Sequence, residues 1–209
     1  MVRDNPIRGR INAWFLSVMD GYMHWKYSAM KHVLFEGAPQ TLVELGPGTG
    51  ANLRYIPEGR DLIAIEPNIH MHSTLIEKAK TRKINLDLRG LAGEKLDLET
   101  CSVDFVFCTL VLCTVENPAQ VISEVRRVLK PGGKFVCIEH VEASRNSLLH
   151  RLQHTIRKPW QWLFEGCDLC RDTNYLLQKS GFKSVQVDKF FLSTVFFPIR
   201  PQIRAVCIN

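Results

Sequence analysis

Three glycines at alternate positions, Gly46, Gly48 and Gly50, follow directly on the apolar run Thr41 to Leu45. A strand that turns through such a loop leaves few architectures open. Glycine reaches left-handed backbone angles without a Cβ penalty and lets a bound group approach the main chain. Glu66 follows Gly46 by 20 positions, at the tip of the next apolar run, Leu62 to Glu66. In a doubly wound sheet this offset puts a carboxylate where a ribose can donate its hydroxyls.

The chain then keeps alternating. The spacing predicts a helix from about Ala51, a helix over Ile69–Arg82, a strand over Asn85–Arg89 and a buried strand over Asp104–Leu112. A helix over Ala119–Leu129, with Val121, Ile122, Val125 and Val128 on one side, leads to a strand over Phe135–Glu139. Strands and helices in this order predict an α/β fold, a mostly parallel sheet with helices on both faces. A helix over Leu148–Phe164 and closing strands over Ser184–Phe191 and Ile203–Ile208 complete seven strands. Before the first strand, Trp14, Phe15, Val18, Met19, Tyr22 and Met23 recur at helical spacing, and Gly37 and Pro39 end that segment. The expected organisation is one domain over 1–209, with a helical lid over 1–40 and a core over 41–209.

Composition narrows the function. Lys and Arg number 27 against 21 Asp and Glu, a net charge of +6 spread from Arg3, Arg8 and Arg10 to Arg151, Arg157 and Lys158. No Lys/Arg block of the nucleic-acid type occurs, and peripheral contact with an anionic membrane surface is permitted but not indicated. The charge-free run Phe105 to Val115 is too short to span a bilayer, and Met1 to Pro6 lacks the apolar core of a signal peptide. A cytoplasmic monomer is the expectation. Seven cysteines, with Cys108, Cys113 and Cys137 inside apolar runs, suit buried thiols rather than a disulfide framework. Cys167-x-x-Cys170 has only His150 and His154 nearby in sequence, so structural thiols are expected there and no metal.

The glycine loop also satisfies a relaxed dinucleotide fingerprint, Gly46-x-Gly48-x-x-Ala51. Glu44 two residues before it, the third glycine, and a single mononucleotide-sized half favour S-adenosylmethionine (SAM) over NAD. Glu44-Leu-Gly-Pro-Gly-Thr-Gly50, Glu66-Pro67-Asn68, Ser102-Val103-Asp104 and Val128-Leu-Lys-Pro-Gly-Gly133 resemble class I SAM-dependent methyltransferases of the ubiquinone-methylase-like group, with their Rossmann-like fold. Cys108-Thr-Leu-Val-Leu-Cys113, Glu139-His140-Val141 and Leu163-Phe-Glu-Gly-Cys-Asp-Leu169 resemble the alkyl thiol S-methyltransferases of the methyltransferase-like group.

The resemblance implies that Gly46, Pro47, Gly48, Thr49 and Gly50 cradle the methionine part of SAM. It makes Glu44 support the amino end, Glu66 bind the ribose, and Pro67, Asn68 and Met71 flank the adenine. Ala92, Gly93 and Glu94 occupy the loop that reads the adenine edge. Leu91 stands where the family carries an acid. Thr109 and Leu110 face the sulfonium.

Methyl transfer to a thiol needs alignment, desolvation and loss of the thiol proton. His140, at a carboxyl strand end, is the expected catalytic residue, with Asp168 and His24 as weaker candidates. Tyr22, Trp25, Cys113 and Asp168 are expected in the acceptor pocket. Trp14 and Tyr27, and Phe190, Phe191, Phe196 and Phe197 of the tail, are candidates to close over it. The implied activity is S-methylation of a small hydrophobic thiol. N-, O- or C-methylation of a small molecule such as a lipid amine or quinone, arsenite methylation, and SAM binding without turnover stay open at this point.

Overall fold

The computed structural model describes residues 6–35 and 37–209. The reading of Met1 to Asn5 as free of a signal segment lies outside these residues, as do Arg3 and Glu36. Helix α1 (Pro6–Phe35) precedes β1 (Thr41–Leu45), β2 (Asp61–Ile65), α2 (Ile69–Thr81), β3 (Asn85–Arg89) and β4 (Val103–Thr109). Then come α3 (Pro118–Val128), β5 (Leu129–His140), α4 (Leu148–Leu163), α5 (Thr173–Gln178), β6 (Ser184–Phe191) and β7 (Pro201–Ile208). The sheet order is β3-β2-β1-β4-β5-β7-β6. β1 to β5 pair in parallel, while β7 runs antiparallel to both β5 and β6.

Alternation along the strands sorts two cores. Val43, Leu45, Val106, Cys108, Phe135 and Cys137 face Val121, Ile122, Val125 and Val128 of α3 and Leu177 of α5. Leu42, Leu62, Phe105, Phe107 and Val136 face Leu75 and Ala79 of α2 and Phe35 of α1. Both sheet faces therefore carry helices. The α3 residues sit at i, i+1, i+4 and i+7, and each buried side chain favours folding by roughly 1.5–3 kcal/mol over exposure. Asn117 caps this helix by accepting from Gln120 N at 3.1 Å, and Pro118 stands where no backbone donor is needed.

Four stretches differ from expectation: α5 has no counterpart among the expected helices, and β4 stops at Thr109 rather than Leu112. No α-helix follows the glycine loop; a single 3₁₀ turn, Leu53–Tyr55, stands there instead. Pro57 holds Ile56 in an extended conformation (φ −83°, ψ 127°), so the helical pattern has no room to propagate. β5 starts six residues earlier than its apolar run, because Pro131-Gly132-Gly133 is absorbed where the β4–β5 register shifts between Val103 and Phe105.

The fold places a crevice at the carboxyl ends of β1 and β4, where the strand order reverses. α1 roofs it. Asp20 Oδ2 accepts from Arg54 Nη2 at 2.6 Å and Lys78 Nζ at 2.9 Å. Tyr22 Oη donates to Thr194 Oγ1 at 3.1 Å and accepts from Val195 N at 2.9 Å. Gln202 Nε2 donates to Tyr27 Oη at 2.6 Å. The outer side of α1 leaves Ile7, Ile11, Trp14 and Val18 exposed. Among the described residues, no helix is long and apolar enough to cross a membrane.

Candidate active site

A cavity of about 800 Å³ opens under α1, within the size range of small-molecule sites. One end is the glycine loop. Gly46, Gly48 and Gly50 take φ of +58°, +59° and +81°, where a side chain is strained. A Cβ on Gly46 would stand 2.6 Å from Val111 Cγ2, so this backbone packs closely against the turn after β4.

Glu66 lies beside it, 5% exposed. Its carboxylate accepts from Gly48 N at 2.9 Å and Asn68 N at 2.8 Å. Each oxygen keeps a lone pair for a ribose hydroxyl. Burial raises its pKa, and the two backbone donors pull it back. Pro67, Asn68, Met71, Ala92, Gly93 and Glu94 line the wall beyond. The donor and acceptor set fits SAM.

Other expected contacts stand back from this wall. Pro47, Thr49 and Gly50 turn away from the cavity; Gly50 packs on Leu53 and Leu75. Glu44 is fully buried behind the loop. Its Oε1 accepts from Asn52 Nδ2 at 2.6 Å and its Oε2 has no hydrogen-bond partner among the described residues. Burial raises its pKa to about 7, against the pull of Asn52 and Lys31. Thr109 Oγ1 accepts from Asn52 Nδ2 at 3.0 Å, behind the wall, whereas Leu110 lines it in the left-handed region (φ +58°).

Another part of the cavity wall gathers sulfur, imidazole and aromatic rings. His140 Nε2 stands 3.0 Å from Cys167 Sγ, and Cys113 Sγ stands 3.9 Å from the same sulfur. Trp160 Nε1 donates to Cys167 Sγ at 3.3 Å. Hydrogen bonding from Cys113, then the imidazole and the indole, holds the Cys167 thiol well below its ordinary value despite burial. Cys113 is driven upward by its bond to Cys167 and by burial. Burial pushes the His140 pKa down; the charge and hydrogen bond of Cys167, with the charges of Glu139 and Asp168, together outweigh it and raise the pKa.

Glu139 positions this corner. Its carboxylate accepts from Val111 N and Leu112 N, both at 2.8 Å, and from Cys113 N at 3.2 Å. Phe15, Phe164 and Phe196 enclose the corner: Phe15 meets Phe164 at 5.8 Å and Phe196 at 6.0 Å, and Trp160 meets Phe164 at 4.3 Å.

The acceptor-pocket expectations need correction. Cys113 lines the cavity; Tyr22, Trp25 and Asp168 do not. The inward stripe of α1 is Asn12, Phe15, Leu16, Met19 and Met23, which turns Trp14 and Trp25 outward at 67% and 69% exposure. Tyr22 is engaged with Thr194 instead, and Tyr27 with Gln202. Asp168 forms a two-pronged pair with Arg157, at 2.8 and 2.6 Å. That pair holds its pKa down against burial. His24 bonds Tyr55 Oη at 2.6 Å. Of the tail phenylalanines only Phe196 lines the cavity.

The Cys167-x-x-Cys170 pair is split: Cys167 faces the cavity, while His150 and His154 both turn to Glu142 Oε1, at 3.2 and 2.7 Å. Sequence reasoning missed Glu165 and Trp160. Glu165 lines the cavity, accepts from Asn68 Nδ2 at 3.2 Å and has its pKa raised to about 7 by burial.

The chain is similar to known methyltransferases. A methyltransferase domain model matches residues 43–137, from β1 into β5. Thiol S-methyltransferase TMT1A of Homo sapiens is 35% identical over 172 residues, 81% of this chain and 70% of the relative. The chain belongs to the thiol S-methyltransferase family. The relative TMT1B of Mus musculus is 31% identical over 215 residues, covering 98% of the chain and 88% of its own length. A SAM-dependent methyltransferase of Thermotoga maritima superposes with a TM-score of 0.66 at 20% identity, over 96% of this chain and 99% of that one. This thiol S-methyltransferase family member is a SAM-dependent enzyme with a Rossmann-like methyltransferase fold.

Proposed function

We propose that this protein methylates the sulfur of a small hydrophobic thiol. The observation that carries the reading is the aromatic corner where Cys113, His140 and Cys167 converge, in the same cavity as the glycine loop and Glu66. Bound SAM supplies a methyl group already activated by its sulfonium charge. Glu66 and the Gly48 backbone orient the cofactor, and Leu110 lines the wall of the same cavity.

The protein's remaining work is on the acceptor. An alkyl thiol resembles free cysteine, with pKa about 8.5, and needs help to present its thiolate at neutral pH. His140 is the residue assigned to that help. Phe15, Phe164, Phe196 and Trp160 exclude water from the nucleophile, which otherwise blunts its attack.

Each added buried methylene favours binding by about 0.8 kcal/mol, close to fourfold, until the corner is full. In a series of alkyl thiols of increasing length, kcat/KM is expected to rise and then level off, with glutathione poor. A flat series, or preference for glutathione, contradicts the reading.

A further inference from the structure

Three soft donors meet at the floor of the cavity, and a hydrogen-bonded Cys–His pair would need only two of them. The turn after β4 delivers Cys113, the end of β5 delivers His140, and the segment after α4 delivers Cys167. Their donor atoms, two Sγ and one imidazole nitrogen, lie within 4.8 Å of one another. All three residues are buried, at 1%, 2% and 8% exposure, and all line the cavity.

The spacing is that of a metal's ligand sphere. Tetrahedral zinc, with Zn–S about 2.3 Å and Zn–N about 2.0 Å, holds two thiolates about 3.8 Å apart and a thiolate and imidazole about 3.5 Å apart. The two sulfurs here are 3.9 Å apart. The imidazole, at 3.0 Å from Cys167, reaches the zinc distance by withdrawing about half an ångström.

The surroundings fit on the sulfur side, while His140 Nδ1 is buried with no hydrogen-bond partner among the described residues. Trp160 Nε1 donates to Cys167 Sγ, the kind of outer contact that steadies a metal-bound ligand. Glu139 fixes the amide of Cys113, and Asp168 N donates to its carbonyl at 2.8 Å. Two thiolates and a neutral imidazole cancel the charge of Zn²⁺, so the buried group carries no net charge. Three protein ligands leave one tetrahedral position, and that is how catalytic zinc is held; structural zinc is closed by four.

We propose that Cys113, His140 and Cys167 form a zinc site whose open position faces the cavity and takes the acceptor thiol. The proposal rests on the S-methylation reading. The thiol sulfur bonds zinc and its S–H bond breaks, the proton leaving to solvent. A sulfur lone pair then forms the S–CH₃ bond as the methyl–sulfonium bond breaks. The electron pair of that bond stays on the cofactor sulfur, giving S-adenosylhomocysteine and a neutral thioether. In this scheme His140 helps the thiol lose its proton through the zinc it ligates, not by accepting the proton itself.

The test uses the full chain. Elemental analysis of purified protein is expected to give one zinc per chain, with affinity about 100-fold weaker in Cys113→Ser, Cys167→Ser and His140→Ala. The double variant His150→Ala/His154→Ala is expected to keep the metal, which separates this site from the Glu142 cluster. Cobalt exchanged into the wild type, which avoids any folding defect of the variants, is expected to show a thiolate charge-transfer band that grows on adding a short alkyl thiol. Metal bound only through His150 and His154, no cysteine-dependent band, or a band indifferent to thiol overturns the proposal. Metal-free protein that methylates thiols at full rate overturns the zinc and leaves the S-methylation reading standing. A cobalt form that binds thiol, in a zinc enzyme that methylates none, upholds the site and overturns that reading.

Discussion

Gly46→Ala tests how the cofactor cradle is built. A Cβ there would stand 2.6 Å from Val111 Cγ2 and 3.2 Å from Val111 Cγ1, on a backbone at φ +58°. The left-handed angle costs an alanine about 1–2 kcal/mol. Forcing the methyl against Val111 adds about 1–3 kcal/mol, so the substitution is expected to destabilise the chain by about 2–5 kcal/mol. Val111 cannot retreat freely, since its amide is bonded to buried Glu139 at 2.8 Å.

Val111→Ala removes both colliding carbons and leaves only the backbone strain. The double variant is therefore expected to recover about 1–3 kcal/mol relative to the sum of the singles. Urea unfolding of the four proteins measures this coupling, and calorimetry with S-adenosylhomocysteine shows whether the cradle recovers its ligand. Additive effects, within about 0.5 kcal/mol, would refute the argument that Val111 is what keeps position 46 a glycine.

Three further outcomes follow from the geometry. Glu66→Ala is expected to weaken S-adenosylhomocysteine binding by roughly 1–3 kcal/mol, the scale of hydrogen bonds to a charged group; unchanged calorimetry would remove Glu66 from the ribose role. Glu44, raised by burial to about 7 in the folded chain, is protonated below its unfolded value near 4.5 at no cost, and folding loses stability as pH rises from there through 7. Glu44→Gln is expected to flatten that loss by up to about 3 kcal/mol, read as urea midpoints from pH 4.5 to 8; parallel profiles for both proteins would contradict it. Met19→Ala is expected to raise KM for long alkyl thiols severalfold while Trp25→Ala leaves it unchanged, because Met19 faces the cavity and Trp25 faces outward; equal effects would reverse the assigned phase of α1.

The sequence shows most plainly what obeys a local rule. Gly46 to Gly50 and Glu66 follow from strand-turn geometry, and β3 and β6 span the stretches their residues predict. α1 was harder to orient because apolar residues occur around its whole circumference, with Trp14 and Val18 outside and Phe15 and Met19 inside. Periodicity finds such a helix without choosing its buried side. α5 is six residues long, and its one signal is Asp172 accepting from Tyr175 N at 2.9 Å.

The Cys113–His140–Cys167 corner was not legible as a unit. Its members are separated by 27 and 54 residues from the shared sulfur, and no local spacing joins them. Only the adjacency of β4 and β5, with α4 folding back over their ends, brings the three together. The Cys167-x-x-Cys170 spacing pointed the other way. Cys167 lines the cavity, whereas Cys170 does not, and its amide donates to Asp168 Oδ1 at 3.0 Å.

The central claim is the identity of the accepting atom, and one competition measures it. The zinc-supplemented protein is given SAM carrying a heavy methyl, with a short alkyl thiol, a phenol and a primary amine together at equal concentration. The products are then weighed by mass spectrometry. The account predicts the labelled thioether as the dominant product, lost in His140→Ala with S-adenosylhomocysteine affinity retained. A labelled ether or methylamine, with the thiol untouched, would contradict it.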